Sequence, residues 1–291
     1  MRALRAALVQ MTVQEKTEDS LARAEGFLRK AKEQGAQLAL LPEMFCCPYQ
    51  TKNFPLYAQR EGGEVWQALS GMAKKYDLLL AAGSVPEVDG ENRVYNTAYV
   101  FDREGRQIAK HRKLHLFDVE VEGGISFRES DTLTPGSSAT TFDTPWGKMG
   151  LCVCFDFRFP ELVRLMADQG AQVILVPAAF NMTTGPAHWE ILFRTRAMDN
   201  QLFTLGAAPA RDPSSSYTSY GNSIAVSPWG TVLARLDEKE NLLLTDLDLD
   251  LVEKTRKEMP LHHGRRHDIY PYPPKAPCPQ AKAIPTWPAG H

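Results

Sequence analysis

Apolar residues along this chain fall into two kinds of pattern that take turns. Short unbroken apolar runs predict buried strands, and apolar residues spaced three or four apart predict helices with one buried face. Residues 3–9 form a first apolar strand. Residues 19–34 follow with Leu21, Ala24, Leu28 and Ala31 on one helical face, with Asp19 or Ser20 placed to cap the start and Gly35 to end it. Residues 38–41 are a fully apolar strand that closes on Pro42 and Glu43.

The pattern then repeats. GAQLALLP at 35–42 is nearly matched by GAQVILVP at 170–177, each after a helix-like segment. Past each copy comes a helix-like stretch (64–76; 188–200) and an apolar strand (78–82; 202–207). Asn96 and Thr97, then Gly105, then Ala109 and Lys110 in one half answer Asn222 and Ser223, Gly230, Ala234 and Arg235 in the other, and both read as hairpins turning at DREG and PWG. Helices alternating with apolar strands imply mixed sheets covered by helices. The expected fold is therefore α/β, a four-layer α-β-β-α sandwich of two similar halves. It would occupy residues 1–270, with a proline-rich irregular tail over 271–291, where proline is too dense for helix or central strand.

Composition narrows the function class. The chain has 291 residues, 43% of them hydrophobic, and a formal net charge of -2, so it carries no electrostatic footprint for nucleic acid or an anionic membrane. No apolar run approaches the roughly 20 residues that span a bilayer. The opening MRALRAALVQM is too short for a signal peptide and reads as the first strand. Five cysteines, an odd count with Cys46 and Cys47 adjacent, argue against a disulfide framework and for a reducing cytoplasm.

Three strand ends offer chemistry. In GKMGLCVCFDFRFPE, residues 147–161, a strand-like run over 148–153 meets Cys154, and a helix is expected to start at 159–161. A cysteine where a strand meets a helix suits a nucleophile, because the free backbone N–H groups of the turn can bind an oxyanion. A buried structural cysteine would occupy the same place, since free cysteine is often buried. Glu43 follows the 38–41 strand, and Lys113 follows the hairpin strand over 108–111. Each of these two could be an ordinary surface charge. Together the three supply a base, a cation and a thiol.

LALLPEMF around Glu43, HRKLHLFD around Lys113 and GLCVCFDFRFPE around Cys154 resemble the three catalytic motifs of the nitrilase superfamily of carbon–nitrogen hydrolases. The resemblance runs in order to about Tyr270 and implies the sandwich fold, a triad of Glu43, Lys113 and Cys154, and a second glutamate, Glu129. CPYQTKNFPLYA, FNMTTGPAHWEILFRTRAMDNQ and PARDPSSSY look like the omega-amidase branch, which hydrolyses the terminal amide of 2-oxoglutaramate and 2-oxosuccinamate. The expected partner is thus a small-molecule amide, with no cofactor and no metal, and the family commonly forms dimers. Tyr49 and Arg211 lie in the branch-like segments and are candidates for the substrate carboxylate, with Arg158 a weaker one. Phe155 stands where the family usually has tyrosine, and its N–H is the expected oxyanion donor. The proline-rich tail has no counterpart.

Rival readings remain at this stage. Related amidases accept deaminated glutathione or N-carbamoyl amino acids. A Cys–His enzyme would use His115 or His188 as base, histidine being the commoner partner for cysteine. A non-catalytic metal-binding or regulatory protein would use Cys46, Cys47, Cys152 and Cys154, whose spacing matches no usual structural zinc pattern.

Overall fold

The computed structural model describes residues 2–266 together with 268–269; the proline-rich stretch 271–291 lies outside the described residues. The first half runs β1 (Ala3–Gln10), α1 (Thr17–Glu33), β2 (Leu38–Leu40), α2 (Phe54–Tyr57), α3 (Glu64–Lys75), β3 (Leu79–Val88), β4 (Val94–Phe101) and β5 (Gln107–Arg112). A ribbon of β6 (Asp118–Glu120) and β7 (Ser126–Arg128) follows, then β8 (Thr140–Thr144), β9 (Gly147–Leu151), α4 (Pro160–Asp168), β10 (Val173–Pro177), α5 (Gly185–Asn200), β11 (Phe203–Ala207), β12 (Ile224–Val226) and β13 (Val232–Arg235). β14 (Asn241–Asp248) and α6 (Asp250–Glu258) complete the order.

Two six-stranded sheets result, in the orders β14-β1-β2-β3-β4-β5 and β13-β12-β11-β10-β9-β8. β1, β2 and β3 are parallel in one, and β9, β10 and β11 in the other; the remaining pairs are antiparallel. β14 pairs with β1 from Ala3↔Asp248 to Gln10↔Asn241, so the latter part of the chain returns to edge the first sheet.

Period-two alternation explains why the central strands read as unbroken apolar runs: both faces are buried. Leu4, Ala6, Leu8, Leu38, Leu40, Leu79 and Ala81 face the second sheet and pack with Leu151, Val173 and Leu175. Ala7, Val9, Ala39, Leu41, Leu80 and Ala82 point the other way, onto Ala24, Leu28 and Ala31 of α1 and Leu69 and Met72 of α3. On the far side Val163, Met166, Trp189 and Phe193 of α4 and α5 cover the second sheet. The layers are therefore α-β-β-α. Burying each such leucine or valine contributes about 1.5–3 kcal/mol relative to exposure.

One local expectation fails. α1 begins at Thr17 with Lys16 in the N-cap position and no side-chain cap. Ser20 is buried instead, and its Oγ accepts from the Gln14 backbone N–H at 3.0 Å, holding the preceding loop. Among the described residues no helix is long and apolar enough to cross a membrane.

Candidate active site

Glu43 leaves the end of the central strand β2, where the backbone is crowded. A Cβ at Gly83 would stand 2.2 Å from the Pro42 carbonyl oxygen, so only glycine lets β3 pass this close, and the register of β3 slips at this point. Met44, next to Glu43, holds φ at 49° and donates its N–H to Ser84 Oγ at 3.0 Å. A non-glycine residue in this region costs about 1–3 kcal/mol, which the surrounding hydrogen bonds must offset. The Glu43 side chain is fully buried. Its Oε1 accepts from Asn96 Nδ2 at 2.8 Å and Lys113 Nζ at 2.9 Å, and its Oε2 from the Ala179 N–H at 2.8 Å.

Lys113 follows β5 directly. Its main chain is tied on both sides, donating to the Asn96 carbonyl and accepting from Gly136 N–H, each at 2.8 Å. A Cβ at Gly136 would meet the Arg112 carbonyl at 2.2 Å, so that approach also requires glycine. The ammonium is fully buried between two carboxylates, Glu43 and Glu129, the latter at 2.9 Å. Glu129 opens a short 3-10 turn after β7 and is buried as well. Its Oε2 accepts from Phe117 N–H at 2.7 Å and its Oε1 from Tyr49 OH at 2.7 Å.

Cys154 sits in a turn rather than at the last strand residue. β9 stops at Leu151, and Cys154 opens a 3-10 turn (Cys154–Arg158) before Pro160 starts α4. It holds φ at 47°, a strained conformation that turns the side chain out of the strand direction. The thiol lies within electrostatic reach of the Glu43 carboxylate and the Ala179 backbone N–H, which donates to that carboxylate. A carboxylate, an ammonium and a thiol thus share one buried cluster.

Burial pushes the Glu43 carboxyl up and the neighbouring Glu129 charge adds to this, while Lys113 opposes it; the net shift is upward. Burial would strip Lys113 of its proton, but Glu129 and Glu43 outweigh it and hold the ammonium well above its usual range. The Cys154 thiol is raised by burial and then by the Glu43 charge, against Lys113. In the resting state the proton therefore stays on sulfur, beside a carboxylate of enhanced basicity.

Cys154 opens on a tight pocket of about 10 Å³ lined by Phe117, Phe155, Arg158, Phe180, Asn181 and Tyr217. A second cavity of about 250 Å³ adjoins Glu43 and shares only Ala179 and Tyr217 with the first.

The remaining sequence candidates separate here. Phe155 lines the Cys154 pocket, edge-on to Phe117 at 5.2 Å between ring centroids. Tyr49 belongs to the cluster, but its hydroxyl is committed to Glu129 and, at 3.3 Å, Glu43, so it positions carboxylates rather than receiving one. Arg211 lines neither cavity: its Nη2 donates to the Tyr220 carbonyl at 3.0 Å and its guanidinium lies 5.7 Å from the Tyr220 ring, which ties down its own loop. Among the described residues Arg158 makes no salt bridge. It leans over the Phe180 ring at 4.8 Å, with Nη1 3.1 Å from His188 Nδ1, and pairs with no carboxylate among the described residues. His115 Nδ1 is on Asp156 at 2.8 Å, so neither histidine takes the place of Glu43 at the thiol. Cys46, Cys47 and Cys152 are buried, and among the described residues no three His, Cys, Asp or Glu are placed to hold a metal ion.

Sequence reasoning missed three groups. Asn96 was visible only as a repeat marker opposite Asn222; the Ala179 amide has no side-chain signature; and Asp156, two residues past Cys154, read as part of a motif without a role.

Three comparisons with known proteins bear on this arrangement. The family model described as carbon-nitrogen hydrolase matches residues 5–257. The chain is 46% identical over 270 residues to omega-amidase NIT2 of Bos taurus, covering 93% of this chain and 98% of that protein. It is 45% identical to omega-amidase NIT2 of Homo sapiens, covering 95% and 100%. Among solved structures, Saccharomyces cerevisiae Nit3, of branch 10 of the nitrilase superfamily, superposes with a TM-score of 0.84 at 39% identity over 91% of this chain and 97% of that one. An amidase from Nesterenkonia sp. AN1, captured with acrylamide added at its active-site cysteine, superposes with a TM-score of 0.74 at 29% identity over 89% and 98%. Matched along nearly its whole length in sequence and in fold, the chain belongs to the carbon–nitrogen hydrolases of the nitrilase superfamily.

Proposed function

We propose that this enzyme cleaves the terminal amide of 2-oxo dicarboxylic acid monoamides, 2-oxoglutaramate and 2-oxosuccinamate, through a thioester on Cys154. The observation that carries the chemistry is the buried ion pair of Glu43 with the Lys113 ammonium, beside a Cys154 thiol whose ionisation Glu43 opposes. Glu43 takes the thiol proton as sulfur attacks the amide carbon. Lys113 and the backbone N–H of Phe155 stabilise the oxyanion, the kind of donor whose removal costs roughly 10²–10³ in turnover. The tetrahedral intermediate collapses as Glu43 passes its proton to nitrogen, the C–N bond breaks and ammonia leaves. Water then gives a proton to Glu43 and attacks the thioester; the C–S bond breaks, and Glu43 returns the proton to sulfur. Glu129 keeps Lys113 charged throughout.

The names of the omega-amidase relatives and the character of Arg158 support the substrate class. Arg158 is a cation in the wall of the Cys154 pocket with no carboxylate partner among the described residues, and burial lowers its pKa, so a substrate carboxylate would supply the missing counter-charge. It replaces Arg211 in this role. The test is ammonia release from 2-oxoglutaramate, glutamine, deaminated glutathione, an N-carbamoyl amino acid and a short neutral amide. Arg158→Gln should raise KM for 2-oxoglutaramate by roughly tenfold to a hundredfold, the scale of one charged hydrogen bond, and leave the neutral amide nearly unchanged. Equal loss on both substrates would place the carboxylate site elsewhere.

The same reading makes the protein a homodimer of the reducing cytoplasm. Four unpaired cysteines among the described residues support the compartment, and exposed Ile191 and Met198 of α5 with Trp229 of the β12–β13 turn, at 62%, 49% and 54%, support a partner surface there. Sedimentation at micromolar concentration tests the assembly.

A further inference from the structure

Asp156 takes no part in the steps above, yet its carboxylate is wholly buried and saturated with donors. Oδ1 accepts from Leu114 N–H at 3.1 Å and from both the N–H and Nδ1 of His115 at 2.8 Å. Oδ2 accepts from His111 Nε2 at 2.8 Å and Val153 N–H at 3.1 Å. These donors come from two stretches far apart in sequence. One, residues 111–115, brackets Lys113; the other is the residue before Cys154. Consecutive N–H groups at 114 and 115 wrap one oxygen, a concave backbone arrangement that suits an anion. The outer side is closed by His115, stacked on Phe159 with centroids 3.7 Å apart.

We propose that Asp156 is a positioning residue for amide hydrolysis, its carboxylate stapling the segment that carries Lys113 to the turn that presents Cys154. The inference rests on the catalytic assignment of Lys113 and Cys154 made above. Two demands of the site meet at this carboxylate. Cys154 must be held at a strained φ, and the bond to Val153 N–H fixes the residue from which that strain is entered. The Lys113 ammonium must sit at a set distance from sulfur while its strand belongs to the other sheet, and strand pairing within either sheet does not fix that distance. Asparagine matches the shape but not the chemistry. In either flip its amide N–H₂ faces at least two of the donors, so the staple opens on one side while the packing volume stays.

The experiment uses the full chain. Asp156→Asn should lower kcat for 2-oxoglutaramate roughly a hundredfold, the cost of a misplacement of about 1 Å, with KM changed by less than about threefold. Iodoacetamide labelling of Cys154, read by mass, separates geometry from folding: the rate constant per site should fall while the labelled fraction stays complete. Because the staple acts through Lys113, the same change in a Lys113→Met background should cost less than about threefold more, since groups acting as a unit are non-additive. A wild-type labelling rate with a reduced labelled fraction, or effects that multiply in the double variant, would overturn the proposal. Should Asp156→Asn not fold, a second pair decides. His115→Leu should lose about tenfold in kcat, and His115→Asn, which returns a donor to Oδ1, should recover to within about threefold; equal activity of the two refutes the staple. Cys154→Ala serves as control: persistent turnover there would refute the catalytic assignment, not the staple.

Discussion

Replacing Glu129 by glutamine probes the charge balance of the site with almost no change in volume. Lys113 stands between two carboxylates, 2.9 Å from each. Glu129 neutralises the ammonium so that Glu43, lifted by burial and by the Glu129 charge, keeps its basicity. In Glu129→Gln the amide N–H₂ must face either Lys113 or the Phe117 N–H, both donors. Removing one partner of a buried ion pair costs about 3–5 kcal/mol, and the surviving bond to Glu43 retains part of it. A loss of about 3 kcal/mol in transition-state stabilisation is roughly a hundredfold in kcat/KM. The pH profile carries a separate sign. Glu43 must be ionised to accept the thiol proton, so activity falls as pH drops through its raised pKa, and the acid limb lies above the usual glutamate range. Without Glu129 the opposing pull of Lys113 meets less resistance, the Glu43 pKa falls, and the limb moves to lower pH. The assay is ammonia release from 2-oxoglutaramate between pH 4 and 9, with thermal unfolding as a check on folding. Activity within about threefold of wild type together with an unmoved limb would refute the argument and reduce Glu129 to an anchor for its loop.

Two further substitutions test the cluster directly. Cys154→Ala should abolish turnover with the fold intact, whereas Cys152→Ala, whose thiol is buried in the core beneath the turn, should keep it; equal loss in both would remove the nucleophile assignment. Lys113→Arg keeps the charge but brings a planar fork into a slot shaped for a compact ammonium, and kcat should fall by roughly a hundredfold or more. Near-normal kcat in that variant would make Lys113 a bystander.

The sandwich was legible because buried parallel strands are unbroken apolar runs and because GAQLALLP and GAQVILVP announce β2 and β10 as equivalents. Glu43, Lys113 and Cys154 were legible as reactive side chains at element ends. What sequence could not provide was the third dimension of side-chain direction. Arg211 and Arg158 are both arginines in loop-like segments, and only the folded chain turns one onto Tyr220 and the other into the pocket wall. The Ala179 amide reaches Glu43 across a separation of 136 residues, a contact that no local pattern encodes. The misplaced cap of α1 has a local cause: the buried Ser20 hydroxyl is taken up by the Gln14 backbone N–H six residues earlier, a use that the helix pattern does not announce.

The pairing of β14 with β1 bears on how such a chain can be cut and rejoined. β14 stands beside β1 as β8 stands beside β9, antiparallel at the sheet's edge, yet β8 precedes its partner directly while β14 arrives more than two hundred residues later. Each half is thus complete in space, but one is split along the chain. A circular permutant opened at the exposed Ser137–Ser138 bond, with the original ends joined by a linker, would run β8 to β13 and then β14, β1 and onward to β5. In that order the molecule is a plain tandem of two strand-helix units, each contiguous, with the nucleophile encoded in the leading unit and the base and ammonium in the trailing one.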